Sequence, residues 1–234
     1  MRTRDLRRIS ALALLAASAA AGSAQASVPP LQTAVRVIEP ATVHVHPSQH
    51  SRSLGRLRTY TPFTLSQLVL PEIGHIGDSH KGWVRVRLTR RPNGSTGWIP
   101  AYVTRQVEIP WRIVVSLGRR DAKVYRSGRI VRRMRVVVGK PGTPTPHGHF
   151  FVVEHVKLHV SWARGLWALA LAAHSNVFNE FEGGDGQVAM HARGSLSGGL
   201  GTASSHGCIR LANGDAAWMA RKIPNGTPVD VTRN

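Results

Sequence analysis

The chain has 234 residues, a single cysteine and a formal charge of +19. One cysteine excludes an intrachain disulfide framework, and no segment after the N-terminal leader has the length and apolar continuity of a membrane span. The charge favours polyanions, but the basic residues are scattered rather than gathered into a patch, so no nucleic-acid interface is indicated.

Met1 is followed by Arg2, Arg4, Arg7 and Arg8, opposed only by Asp5, and then by an apolar run from Ile9 to about Ala21. The run closes on Ala24-Gln25-Ala26. A basic start, a short apolar stretch and an A-x-A site predict a secretory signal peptide over residues 1–26. The run falls short of the ~20 apolar residues that span a bilayer, so no stable membrane span is expected once the leader is cleaved. An exported chain, in the periplasm or cell wall, meets anionic wall polymers rather than nucleic acid. The basic surface suits that setting.

Residues 27–33 form a Pro-containing lead-in, and short strands are expected from Ala34 to about Arg105. Val43 and Val45 alternate with His44 and His46, as on a half-buried strand, and Phe63 to Leu70 is a further apolar run. Trp83-Val84-Arg85-Val86-Arg87-Leu88 alternates apolar with basic residues, a clean strand signal. Asn93-Gly94 marks a turn, and Gly97-Trp98-Ile99-Pro100-Ala101-Tyr102-Val103 reads as a final strand or turn. Short strands separated by turn residues predict a small barrel. The two Gly-Trp motifs resemble those of bacterial SH3-like domains, which implies an SH3-like domain over 34–106.

A second unit begins near Ile109-Pro110. Trp111 to Leu117, Lys123-Val124-Tyr125 and Arg135 to Gly139 are strand-like. Pro141-Gly142-Thr143-Pro144-Thr145-Pro146-His147-Gly148 is dense in Pro and Gly, which fixes chain direction and removes amide donors. His149 to Val156 is a further strand, while Leu166 to Ala173 is compatible with strand or helix, because Ala and Leu favour helix. A helix is predicted over about Asn213 to Lys222, with Asn213 as its cap, Asp215 in its first turn and Pro224 as its stop. Gly226 to Val231 reads as a closing strand.

Chemistry concentrates between His191 and Leu211, ending in Ser204-Ser205-His206-Gly207-Cys208-Ile209-Arg210-Leu211. A cysteine nucleophile attacks as thiolate, so it needs a base for its proton and amide donors for the oxyanion it creates. Gly207 permits a tight turn in which neighbouring amides converge. Two histidines compete for the role of base. His206 shares a side with Cys208 if the segment is extended, but the Gly207 turn breaks that geometry. His191 ends an apolar strand, Gln187 to Met190, and the loop bearing Gly194, Gly198, Gly199 and Gly201 can return the chain to it. His191 is favoured, and His206 stays a candidate.

His191, a 13-residue gap and then Ser205-His206-Gly207-Cys208-Ile209-Arg210 resembles the signature of YkuD-type L,D-transpeptidases, with similarity over 111–232. Gly142 to Phe150 resembles that family's substrate-side loop. The resemblance implies a mostly β, sandwich-like catalytic domain with a short C-terminal helix, and no cofactor. It implies that Cys208 attacks the third residue of a peptidoglycan stem peptide, usually diaminopimelate. D-alanine leaves, and a neighbouring amine resolves the thioester into a 3→3 crosslink. With water as acceptor the enzyme is an L,D-carboxypeptidase. His191 becomes the general base, and the amides around His206, Gly207 and Cys208 the oxyanion site. Ser205 is loop support, Arg210 a loop anchor or a substrate-carboxylate contact, and Thr145, Pro146, His147 and Gly148 line the substrate side. The pattern departs from the family at Ala192, often Gly, and at His147, often a small or hydroxyl residue.

Other functions are weighed on single features. Papain-like and amidase-like hydrolases commonly place Cys before His, the reverse of the order here. A non-catalytic wall-binding protein would use Trp83, Trp98 or Tyr102, but these suit the core of a small barrel better, and both Cys208 and His191 are intact. The His44/His46 and His147/His149 pairs have no carboxylate or cysteine companions, so no metal site is expected. Glu180, Glu182 and Asp185 lie in a Gly-rich segment and are expected to be solvated.

Overall fold

The computed structural model describes residues 32–180 and 184–234. The expected signal peptide and Glu182 therefore lie outside the described residues.

The chain is mostly β. The first seven strands are β1 Gln32–Val37, β2 Ala41–His44, β3 Ser53–Leu57, β4 Val69–Ile76, β5 Trp83–Arg87, β6 Thr96–Pro100 and β7 Thr104–Ile109. They form one sheet in the order β3-β2-β6-β5-β4-β1-β7, and every pairing in it is antiparallel. The alternation read at Trp83–Arg87 has its physical meaning here. Val84 and Val86 are buried, and Arg85 between them is exposed.

Two expectations in this sheet need correction. The run from Phe63 to Leu70 does not begin a strand, since β4 starts only at Val69, and Phe63 and Leu65 are about two-thirds exposed, at 66% and 68%. The backbone amides of Phe63 and Thr64 are bound by the carboxylate of Glu154, so they do not join a ladder. His44 and His46 do not share a strand face either. Strand β2 ends at His44, whose buried ring packs edge-on against Trp83, and His46 is exposed in the turn beyond.

The remaining strands are β8 Trp111–Ser116, β9 Asp121–Arg126, β10 Arg129–Arg135, β11 Val138–Gly139, β12 Gly148–Lys157, β13 Trp167–His174, β14 Gln187–Ala192, β15 Ala203–Ser205, β16 Ile209–Leu211 and β17 Pro228–Thr232. Eight of them form a second sheet in the order β10-β9-β8-β17-β12-β13-β14-β16. Strands β11 and β15 make a separate parallel pair. The segment compatible with strand or helix is β13, hydrogen-bonded between β12 and β14. Burial on both faces replaces the usual alternation there, so local propensity is overridden by tertiary pairing.

Strand β12 serves two cores. Phe150 and Val152 enter the core of the second sheet, while Phe151 and Val153 complete the core of the first, alongside Val35, Leu70, Val86 and Ile99. A register shift between Val152 and Glu154 then turns Glu154 to the same side as Val153, where it meets Thr61 and Thr64.

The one α-helix among the described residues, α1 Asn213–Lys222, buries Ala216 and Met219 in the second core. Its extent agrees with the sequence, but its cap does not. Ala212 is the capping residue, without a side-chain bond, and the Asn213 side-chain oxygen instead accepts the Gly194 N–H at 2.9 Å. Asp215 in the first turn pairs with Arg132 at 2.6 Å.

Candidate active site

Strands β14 and β16 run parallel, with Met190 opposite Ile209 and His191 opposite Arg210. This pairing gathers residues that the sequence separates. Cys208 precedes β16 and is half-buried, and burial lowers the pKa of the neighbouring Arg210, opposed by Cys208. His191 is 7% exposed, packed 5.2 Å from the Trp162 ring.

The ring orientation of His191 follows from one bond. Its Nδ1 lies 2.8 Å from the carbonyl oxygen of Ala192. A carbonyl can only accept, so Nδ1 carries the hydrogen and the lone pair of the neutral ring is on Nε2. Burial pushes the His191 pKa down to about 4, opposed by the Ala192 carbonyl and assisted by the positive charge of Arg210. The imidazole is therefore neutral near pH 7, the state a proton acceptor needs.

The turn before Cys208 rests on an underlying layer of hydrogen bonds. Gly207 has φ +125°, the left-handed region that favours glycine. The Ser205 hydroxyl donates to the Cys208 carbonyl at 2.6 Å and accepts the Gly207 N–H at 3.2 Å. Thr145 donates to the Gly207 carbonyl at 2.8 Å and accepts the Gly139 N–H at 2.9 Å. Thr143 and the Lys140 amide both donate to the Ser205 carbonyl, at 3.1 and 3.0 Å. Gly139 is required here, because a Cβ would stand 2.3 Å from the Thr143 carbonyl oxygen.

The residues singled out from the sequence thus separate by position. Cys208, His191, Ser205, Gly207, Arg210 and Thr145 gather around one turn and one strand pair. Arg210 donates from Nη1 to the Ser197 carbonyl at 2.7 Å, which anchors the glycine-bearing loop. His206 is exposed, and its ring lies 6.4 Å from that of Phe178. Pro146 is buried, Gly148 opens β12, and the exposed His147 accepts from Arg233 at 3.2 Å. His149 pairs with Asp230, which also binds Arg112. Asp185 pairs with the buried His174 at 3.0 Å. Trp162 and Phe178 escaped the sequence reading. Both are lone aromatics outside any strand, with no motif around them.

The model of the YkuD L,D-transpeptidase catalytic domain matches residues 110–231, more than half of the chain. The chain belongs to this family. The match starts at the junction between β7 and β8, so the YkuD domain coincides with the second sheet and α1. The putative L,D-transpeptidase YkuD of Bacillus licheniformis is 33% identical over 124 residues, covering 53% of this chain and 67% of that protein. L,D-transpeptidase 1 of Mycobacterium tuberculosis is 30% identical over 126 residues, covering 50% of this chain and 49% of that protein. Among solved structures, an L,D-transpeptidase from Mycobacterium smegmatis aligns with a TM-score of 0.44 and 20% identity, over 87% of this chain and all (100%) of that one.

Proposed function

We propose that this chain is a cysteine-dependent L,D-transpeptidase that forms 3→3 crosslinks between peptidoglycan stem peptides. Cys208 is the nucleophile and His191 the general base. In the first half-reaction, His191 Nε2 takes the thiol proton as Sγ attacks the carbonyl carbon of the third stem residue. Backbone N–H groups of the cysteine turn hold the oxyanion, apart from that of Gly207, which Ser205 Oγ binds, and Arg210 supplies positive potential beside the sulfur. Collapse breaks the bond to D-alanine, whose amine leaves with the proton from His191, and a thioester remains. In the second half-reaction, an amine of a neighbouring stem attacks the thioester. His191 takes a proton from that amine and returns it to sulfur as the C–S bond breaks.

The observation that carries this reading is the Nδ1–H bond from His191 to Ala192, which leaves Nε2 as acceptor beside the strand that follows Cys208. Under the same reading residues 1–26 are a cleaved leader, the protein works in the periplasm or cell wall, 34–106 is an SH3-like domain and 111–232 the catalytic domain. Anionic wall polymers are its expected surroundings.

The test is incubation of the chain lacking residues 1–26 with a disaccharide-tetrapeptide, followed by mass spectrometry, beside Cys208→Ala. A Cys208-dependent crosslinked dimer is the expected product. A tripeptide alone would make it an L,D-carboxypeptidase, and no Cys208-dependent product would leave a wall-binding protein.

A further inference from the structure

The β5–β6 connection of the N-terminal sheet reaches the loop that flanks the cysteine turn. Arg91 donates from Nη1 to the Ser175 carbonyl at 2.7 Å, and from Nη2 to the carbonyls of Phe178 at 2.8 Å and Asp185 at 3.0 Å. One planar guanidinium therefore gathers three carbonyls from both limbs of the β13–β14 loop. Asn93 lies beside it. Its side-chain nitrogen donates to the His174 carbonyl at 2.7 Å, and its oxygen accepts the His174 N–H at 2.8 Å. The side-chain amide thus serves as one more strand residue at the end of β13.

Contacts inside the loop complete the arrangement. Ser175 Oγ accepts the amides of Val177 and Phe178, at 3.1 and 3.0 Å, and the Ser175 N–H donates to Gly186 at 2.8 Å. Gly186, at φ +73°, has no room for a Cβ, which would stand 2.3 Å from the Phe178 carbonyl oxygen. Phe178 is held in this way with its ring toward His206, two residues from Cys208.

We propose that Arg91 and Asn93 are positioning residues for the transfer reaction. They hold the two limbs of the β13–β14 loop, residues 175–180 and 184–186, so that Phe178 forms a wall of the donor-peptide subsite. The inference rests on the transpeptidase reading for the identity of the donor. It gives the N-terminal sheet a part in catalysis that the matched catalytic span does not contain. Arginine is suited to the task because its donors diverge in one plane, whereas a lysine ammonium cannot meet three fixed carbonyls with the same geometry. Without the guanidinium those carbonyls turn to water and the loop samples open forms.

Four variants of the chain lacking residues 1–26 test this: Arg91→Ala, Arg91→Lys, Asn93→Ala and Phe178→Ala, with the Arg91→Ala/Phe178→Ala double variant. Arg91→Ala is expected to raise the donor KM about tenfold or more, with kcat changing far less, as for a lost binding wall. Arg91→Lys should recover part of the loss. Alkylation of Cys208 by iodoacetamide should stay within about twofold of the parent, because the turn beneath the sulfur is untouched. Amide hydrogen exchange should accelerate across residues 175–180 and 184–186 in Arg91→Ala and Asn93→Ala. The double variant should be no worse than Phe178→Ala, since both changes remove the same wall. An unchanged donor KM in Arg91→Ala, or multiplying effects in the double variant, would overturn the proposal. If Arg91→Ala fails to fold, Asn93→Ala and Arg91→Lys carry the same readouts. If the parent chain turns over no donor, the transpeptidase reading falls. Loop exchange then decides the positioning role alone, and unchanged exchange rejects it.

Discussion

The hydroxyl of Thr145 joins two backbone groups far apart in sequence, donating to the Gly207 carbonyl and accepting the Gly139 N–H. The residue is 4% exposed, so neither bond has water as a ready substitute. Thr145→Val keeps the shape and removes both bonds. It is expected to cost about 1–3 kcal/mol of stability, measured by urea denaturation. Turnover should fall by roughly 10- to 100-fold as the Gly207–Cys208 turn shifts, while Thr145→Ser stays close to the parent.

His191 sets the pH response. Its pKa is about 4 in the folded chain against 6.5 for the free side chain. As pH falls below 6.5 the unfolded chain takes up a proton that the folded chain refuses. Stability therefore falls between pH 6.5 and about 4 and shows no further loss from this group below that. The loss is on the order of 3 kcal/mol, and it should be absent in His191→Gln when unfolding is followed across this range. The acid limb of kcat/KM assigned to His191 should lie near pH 4, and a limb near 6.5 would reject the buried neutral base.

Glu154 is a carboxylate of 0% exposure lodged between the two sheets. It accepts from Thr61 Oγ1 at 2.8 Å and from both the amide and the hydroxyl of Thr64 at 2.7 Å. Glu154→Ala removes the acceptor and leaves the buried Thr61 hydroxyl without it, while the exposed Thr64 turns to water, a loss of about 1–3 kcal/mol expected in denaturant unfolding. Glu154→Gln retains the shape and one acceptor oxygen, and should lose less. A Glu154→Ala chain as stable as the parent would show that the contact contributes nothing to joining the sheets.

Cys208 is half-buried and unique, so acylation there is simple to read. A carbapenem should add its mass once to the parent chain and not to Cys208→Ala, as judged by intact-protein mass spectrometry. Cys208→Ala should unfold within about 0.5 kcal/mol of the parent, because only a half-buried sulfur is removed. An adduct that persists in Cys208→Ala would move the nucleophile elsewhere.

The sequence by itself determined the elements whose signals are local. Strand β5 was legible because alternate residues face opposite sides of a sheet, and α1 because its polar start and Pro224 bound a helical stretch. The cysteine motif was legible because one cysteine beside glycine and histidine in a cysteine-poor chain has few inert explanations. Only tertiary structure decided the rest. Leu166 to Ala173 became a strand through hydrogen bonds to β12 and β14, which lie on either side of it and cannot be read from its own residues. Phe63 to Leu70 failed as a strand because Glu154, some ninety residues on, bound its amides. Asn213 gave up the cap for Gly194. His191 and Cys208 are 17 residues apart, and the parallel pairing of β14 with β16 brought His191 beside the strand that follows Cys208. Long-range pairing depends on which surfaces meet after collapse, and a chain read in order has no register for that.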